Sequence, residues 1–186
     1  MSDASATTST AKVTVSPEEF TFVKYDAAVI AAIVAELAEQ LELANPIRVI
    51  VDETTPLAKV SEEIDAVSSD ATITLHAESG ALEDRKHPMS FSDDVARESL
   101  GRILLRAHDR MRPDFTDAPG DLDLTLEQNA AWDTYCAGRL ARMGVRVNQQ
   151  RWRYNHRNRF GFHDDVDAHF DQLWTADDLG WTALTS

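Results

Sequence analysis

Three groups of side chains in this sequence have the types and spacing to do chemistry. In "HDDVDAHF" (163–170), His163 and Asp167 stand four apart, as do Asp165 and His169. Side chains at that spacing share one face of a helix, and mixed imidazole–carboxylate ligation suits zinc, iron or manganese. His163 and His169 are six apart, so both reach one ion only if His163 lies outside the helix at its start. The set points to a metal-dependent hydrolase built on His163, Asp167 and His169, with His108 or His76 brought near by the fold. Acids at a helix start have another reading, because they complement the helix dipole without any metal.

The second group is "RWRYNHRNRFGF" (151–162). Arg151, Arg153, Arg157 and Arg159 can pair with anions, while Trp152 and Tyr154 can anchor by packing. Arginine, Trp and Tyr are the residue types enriched at interaction hot spots. Alternation predicts an extended, half-buried segment, with Arg151 and Arg153 facing one way and Trp152, Tyr154 and His156 the other. Gly161, between two phenylalanines, predicts a tight turn. Arginines interleaved with aromatics can also grip RNA, but the net charge of −14 disfavours nucleic acid and anionic membrane.

That average conceals an asymmetry. From Thr134 to His163 there is no Asp or Glu, and there are seven arginines. The rest of the chain holds 11 basic against 32 acidic residues. Self-pairing of the arginines with acids from "HDDVD" or from Asp114–Asp123 is the default expectation. An exposed site for a protein partner or a small anionic ligand is the alternative.

The third group lies in "ESLGRILLRAH" (98–108), within a helix expected from Asp93 to Met111 behind a Ser92 cap. The run Glu98-Ser99-Leu100-Gly101-Arg102 resembles the His-Glu-x-x-His helix of the zincin metallopeptidases. Leu100-Gly101 falls where that family often has Leu-Gly, and His108 falls where its extended motifs place a third ligand. The resemblance implies a zincin-like scaffold over roughly 27–111. Glu98, Ser99 and Arg102 stand in the places of the first His, the catalytic Glu and the second His. Serine cannot replace the carboxylate base, and a guanidinium repels a metal ion. The resemblance therefore implies a degenerate scaffold that has lost peptidase chemistry, with no cofactor.

The elements that must position these groups form an α+β pattern: a small N-terminal mixed sheet with a helix, then a mainly helical second half. Residues 1–18 read as a flexible polar tail and 19–186 as one domain, large enough for a sizeable core at 43% hydrophobic residues. Glu19–Tyr25 is expected as a short strand, Ala27–Leu43 as a helix capped by Asp26, and Ile47–Glu53 as a strand. Glu62–Val67 is a weaker strand and Ala71–Ser79 a stronger one, with His76 on the Thr72/Thr74 face. Thr125 and Gln128 form a capping box for Leu126–Met143, and a last helix runs from His163 or Asp164 to Trp174.

No apolar run spans a membrane and no secretory signal opens the sequence. The single Cys136 excludes an intramolecular disulfide and reads as a buried thiol in a cytoplasmic protein. No phosphate-binding glycine loop occurs. Acid pairs such as Glu62/Glu63 read as surface features. The sequence-level conclusion is a non-catalytic cytoplasmic binding or adaptor domain contacting its partner through Arg151–Arg159. The metal-dependent hydrolase is the alternative.

Overall fold

Strands β1 (Val13–Ser16), β2 (Ile47–Asp52), β3 (Val60–Ile64) and β4 (Ile73–Glu78) form a sheet in the order β1-β2-β4-β3. This is a computed structural model, which describes residues 11–68 and 70–186. The pairs β1/β2 and β2/β4 are parallel, and β3 runs antiparallel at the edge. In β2 and β4, alternation sends Ile47, Val49, Val51, Ile73, Leu75 and Ala77 to one buried face. Helix α1 (Ala27–Gln40) and helix α2 (Asp93–Arg110) cover that face. Asp26 caps α1 by accepting from the Ala28 N–H, and Ser92 caps α2 by accepting from Val95.

A β5/β6 hairpin (Glu83–Asp84, His87–Phe91) precedes α2. The second half is helical: α3 (Leu126–Arg142), α4 (Gln149–Phe160), α5 (Asp164–Thr175) and the short α6 (Trp181–Leu184). The α+β expectation holds. The Thr125/Gln128 capping box closes in both directions, and His163 is the N-cap of α5. Trp132, Cys136 and Leu140 lie on one buried face of α3.

Three expectations need correction. The tail does not reach residue 18, because Val13–Ser16 pairs with β2; residues 1–10 lie outside the described residues. Glu19–Tyr25 is irregular, with one bridge from Lys24 to Ser90, because the Glu53 carboxylate takes the Thr21 and Phe22 N–H groups. The arginine segment is the helix α4. Asn148 caps it, Trp152 and His156 are buried one turn apart, and Arg153 and Arg157 face α5 one turn apart. A period near four, overlaid on the apparent alternation, governs this stretch. Gly161, at φ 110°, then turns the chain into α5.

Helices α3 and α5 approach closely at Gly138. A Cβ there would fall on the Trp174 carbonyl group, 2.8 Å from its carbon. At Gly101 an added Cβ would meet the Leu140 side chain, which can move. Gly138→Ala should therefore lower stability by about 1–3 kcal/mol or more, and Gly101→Ala by less. Urea denaturation of both variants checks the order.

Candidate functional site

Arg102, Arg106 and Arg110 recur every fourth residue on α2, which aligns them on one face. Arg102 and Arg106 both donate to Asp133 Oδ1 at 2.5 Å. Arg106 also reaches Asp121 at 3.3 Å, and Arg110 reaches Asp121 at 3.0 Å and pairs with Glu62. Three guanidinium groups and three carboxylates thus alternate along a mostly buried line. Arg106 and Arg110 lie over the Trp132 ring, 5.2 and 4.8 Å from its centroid, and Arg102 over Trp152 at 5.3 Å. Beside the line, Asp109 is wholly buried and accepts from Trp132 Nε1 at 2.9 Å and Arg139 at 2.6 Å. Removing one partner from such a buried set costs about 3–5 kcal/mol, because the other charge is left bare.

Glu62 is the group of this set with the most unusual environment. It sits on β3 between Val60 and Ile64, with its side chain on the core face of the sheet and 1% exposed. Its Oε1 accepts from Arg110, and its Oε2 has no partner. Burial, the largest influence, pushes its carboxyl up to about 7; Arg110 opposes this and Asp121 reinforces it. Glu62 was read as part of a surface acid pair. The signal that could have corrected this was its place between Val60 and Ile64 in the inward parity.

Glu62 lines a cleft of about 790 Å³ that follows the β3 edge between the sheet and the loop at 115–123. Six carboxylates line it (Asp52, Glu62, Glu63, Glu78, Asp121 and Asp123) against the cations Lys59 and Arg110. Val67 and Leu122, 71% and 85% exposed, add apolar surface at its rim. The register of β3 on β4 turns the backbone groups of Ser61 and Glu63 inward, leaving those of Val60, Glu62 and Ile64 directed outward. The Glu62 N–H donates to Asp121 Oδ2 at 3.1 Å. The N–H and C=O groups of Val60 and Ile64 have no hydrogen-bond partner among the described residues. His76 lines the open face of the cleft, with Nε2 3.8 Å from Glu63.

The arginine segment is largely engaged within the fold, as self-pairing predicted. Arg153 pairs with Asp167 and Asp171, and Arg157 pairs with Asp167. Trp152 is buried and donates to Glu98 Oε1 at 2.8 Å. Arg151, Tyr154 and Arg159 remain exposed. Tyr154 meets exposed Phe162 edge-to-face at 6.1 Å.

The proposed metal set does not assemble. Asp167 is engaged by two arginines, and His169 Nδ1 faces His156 Nε2 at 3.2 Å rather than His163. Among the described residues, no group of three or more His, Cys, Asp or Glu side chains is arranged to hold a metal ion. His108 is apart from these, with Nδ1 3.8 Å from Asp109. Alternation in the sequence put His156 on one face with Trp152 and gave it no chemical role; it is 1% exposed and stacks on Phe160. Thr134 Oγ1 donates to the Ala130 carbonyl, so His156 Nδ1 donates to Thr134 and Nε2 accepts from His169. Burial, helped by His169 and Arg153 and opposed by Asp167, pushes His156 down to about 4. Burial also raises the Cys136 thiol well above its ordinary value, which leaves it protonated and inert as a nucleophile.

No helix of the described residues is long and apolar enough to cross a membrane. Comparison of the chain with protein-family models, curated proteins and solved structures gives no match.

Two pH dependences follow. Glu62 holds its proton more tightly when folded, so its contribution to stability is full below about 4.5 and falls as pH rises towards 7. Chemical denaturation of Glu62→Gln should therefore gain on the native chain from about pH 5 to about pH 8; a constant difference would contradict the shift. His156 has the opposite sign, its contribution being full above about 6.5 and lost as pH falls towards 4. NMR titration should find its imidazole neutral at pH values where a free histidine is already charged.

Proposed function

We propose that this protein is a non-catalytic binding domain that holds an extended, positively charged segment of another protein in the acidic cleft along β3. The observation that carries the reading is the pair of backbone sites at Val60 and Ile64, without hydrogen-bond partners among the described residues, on a strand edge surrounded by carboxylates. A strand added to such an edge gains main-chain hydrogen bonds for affinity, and side-chain pockets supply specificity. The excess of acids in the cleft selects basic side chains and speeds encounter.

The scaffold supports a binding role over a catalytic one. On the zincin-like reading, the places of two metal-binding imidazoles are taken by Glu98, held by Trp152, and by Arg102, held by Asp133. Ser99 stands where a catalytic carboxylate would be needed. The inert thiol of Cys136 and the lack of any disulfide partner suit a cytoplasmic setting. The exposed Arg151, Tyr154 and Arg159 would then lie on a different surface from the cleft and contribute nothing to this contact.

The test compares two synthetic peptides of alternating valine with lysine or with glutamate. Isothermal titration should find binding of the lysine peptide only, weakening with added salt. The double variant Glu63→Lys/Asp123→Lys, altered at exposed positions, should lose about tenfold or more in affinity. Equal binding of both peptides, or an unaffected double variant, would exclude the cleft as the contact.

A further inference from the structure

A second cavity, of about 520 Å³, lies between the first half of α3 and the side of α4 that carries Trp152, Asn155, His156 and Arg159. Its hydrogen-bonding groups divide into those the fold already engages and those left open. Trp152 Nε1, Thr134 Oγ1 and both ring nitrogens of His156 are engaged within the protein. Asp133 Oδ1 takes both Arg102 and Arg106, and Asn129 Oδ1 takes Arg106. These bonds fix the floor and one wall before any ligand arrives.

The open groups have a definite arrangement. On the α4 side, Asn155, Asn158 and Arg159 line the cavity from exposed positions, and Arg159 pairs with no carboxylate among the described residues. On the α3 side, Asp133 lines the cavity, and its Oδ2 has no hydrogen-bond partner among the described residues. Trp152, Leu126 and Ala130 supply the apolar surface. One wall is therefore rich in donors with a full positive charge, and the facing wall offers a carboxylate oxygen.

We propose that this cavity binds a small zwitterion of the α-amino-acid class, with its carboxylate on Arg159 and the Asn155 and Asn158 amides and its ammonium on Asp133 Oδ2. The Arg159 fork matches a carboxylate in two parallel hydrogen bonds. A simple anion would leave the second Asp133 oxygen without a donor, and a simple amine would face the Arg159 charge; a ligand bearing both groups serves both walls. The volume falls in the range of small-molecule sites and leaves room for a side chain against Trp152 and Leu126. This site is independent of the acidic cleft, which shares no lining residue with it.

The experiment titrates the full chain with each of the twenty common α-amino acids by thermal shift, then by calorimetry. For any that bind, the matching acid without its amino group and the matching amine without its carboxylate are titrated alongside. At least one amino acid should bind, with both single-charge counterparts about tenfold or more weaker. Arg159→Gln should lose a similar factor while its melting temperature without ligand stays unchanged, since Arg159 is exposed and pairs with no carboxylate among the described residues. Asn155→Ala should give a smaller loss. No binding by any amino acid, equal binding by a single-charge counterpart, or unaltered affinity in Arg159→Gln would each overturn the proposal.

Discussion

The fold depends on a row of guanidinium groups set one helical turn apart on α2. Arg102, Arg106 and Arg110 project from the helix that closes the sheet core and end against α3, the loop at 115–123 and the edge strand β3. An apolar interface would hold these parts together without fixing their register. Charges removed from water impose a stricter condition, because each must find its counterpart or remain bare. The alternation of Arg102, Asp133, Arg106, Asp121, Arg110 and Glu62 gives every member at least one opposite charge. Arg102 Nε, Arg106 Nε and Glu62 Oε2 still have no hydrogen-bond partner among the described residues.

The same row separates two surfaces of different character. On the β3 side, Arg110 is the only guanidinium lining a cleft otherwise dominated by acids. On the α4 side, Asp133 lines a cavity whose other wall carries Arg159. The cleft draws most of its sign from Asp52, Glu63, Glu78 and Asp123, outside the row, and the cavity draws its positive charge from Arg159, within the acid-free stretch. The acid-free stretch from Thr134 to His163 is mostly neutralised locally, by Asp109, Asp167, Asp171 and Asp177.

Elements with one dominant local signal were legible in the sequence. The caps at Asp26, Ser92 and Thr125 fixed helix starts, and the β-branched alternation of Ile47–Asp52 fixed a central strand. The arginine segment was misread because its residues satisfy two periods at once. Trp152 and Tyr154 suggest a strand face, yet Trp152 and His156 make the helix face that is buried. Strand β1 was missed because its four residues gain their stability from pairing with a partner more than 30 positions away. The acidic cleft was illegible for a related reason. Glu62 belongs to a strand whose short pattern resembles many surface acid pairs, and its burial depends on Arg110 arriving from another element.

Strand β3 also bears on how a sheet edge can be guarded against pairing with another edge. A free sheet edge pairs readily with any other edge, and runs of apolar residues there seed aggregates. Here the central outward N–H is already taken by Asp121, and the inward position beside it is a carboxyl group. A second copy docking its own β3 would bring the acids Glu62 and Glu63 against the same acidic edge and would have to dislodge Asp121. The Asp121 carboxylate and the acids beside it therefore count against pairing with another acidic edge.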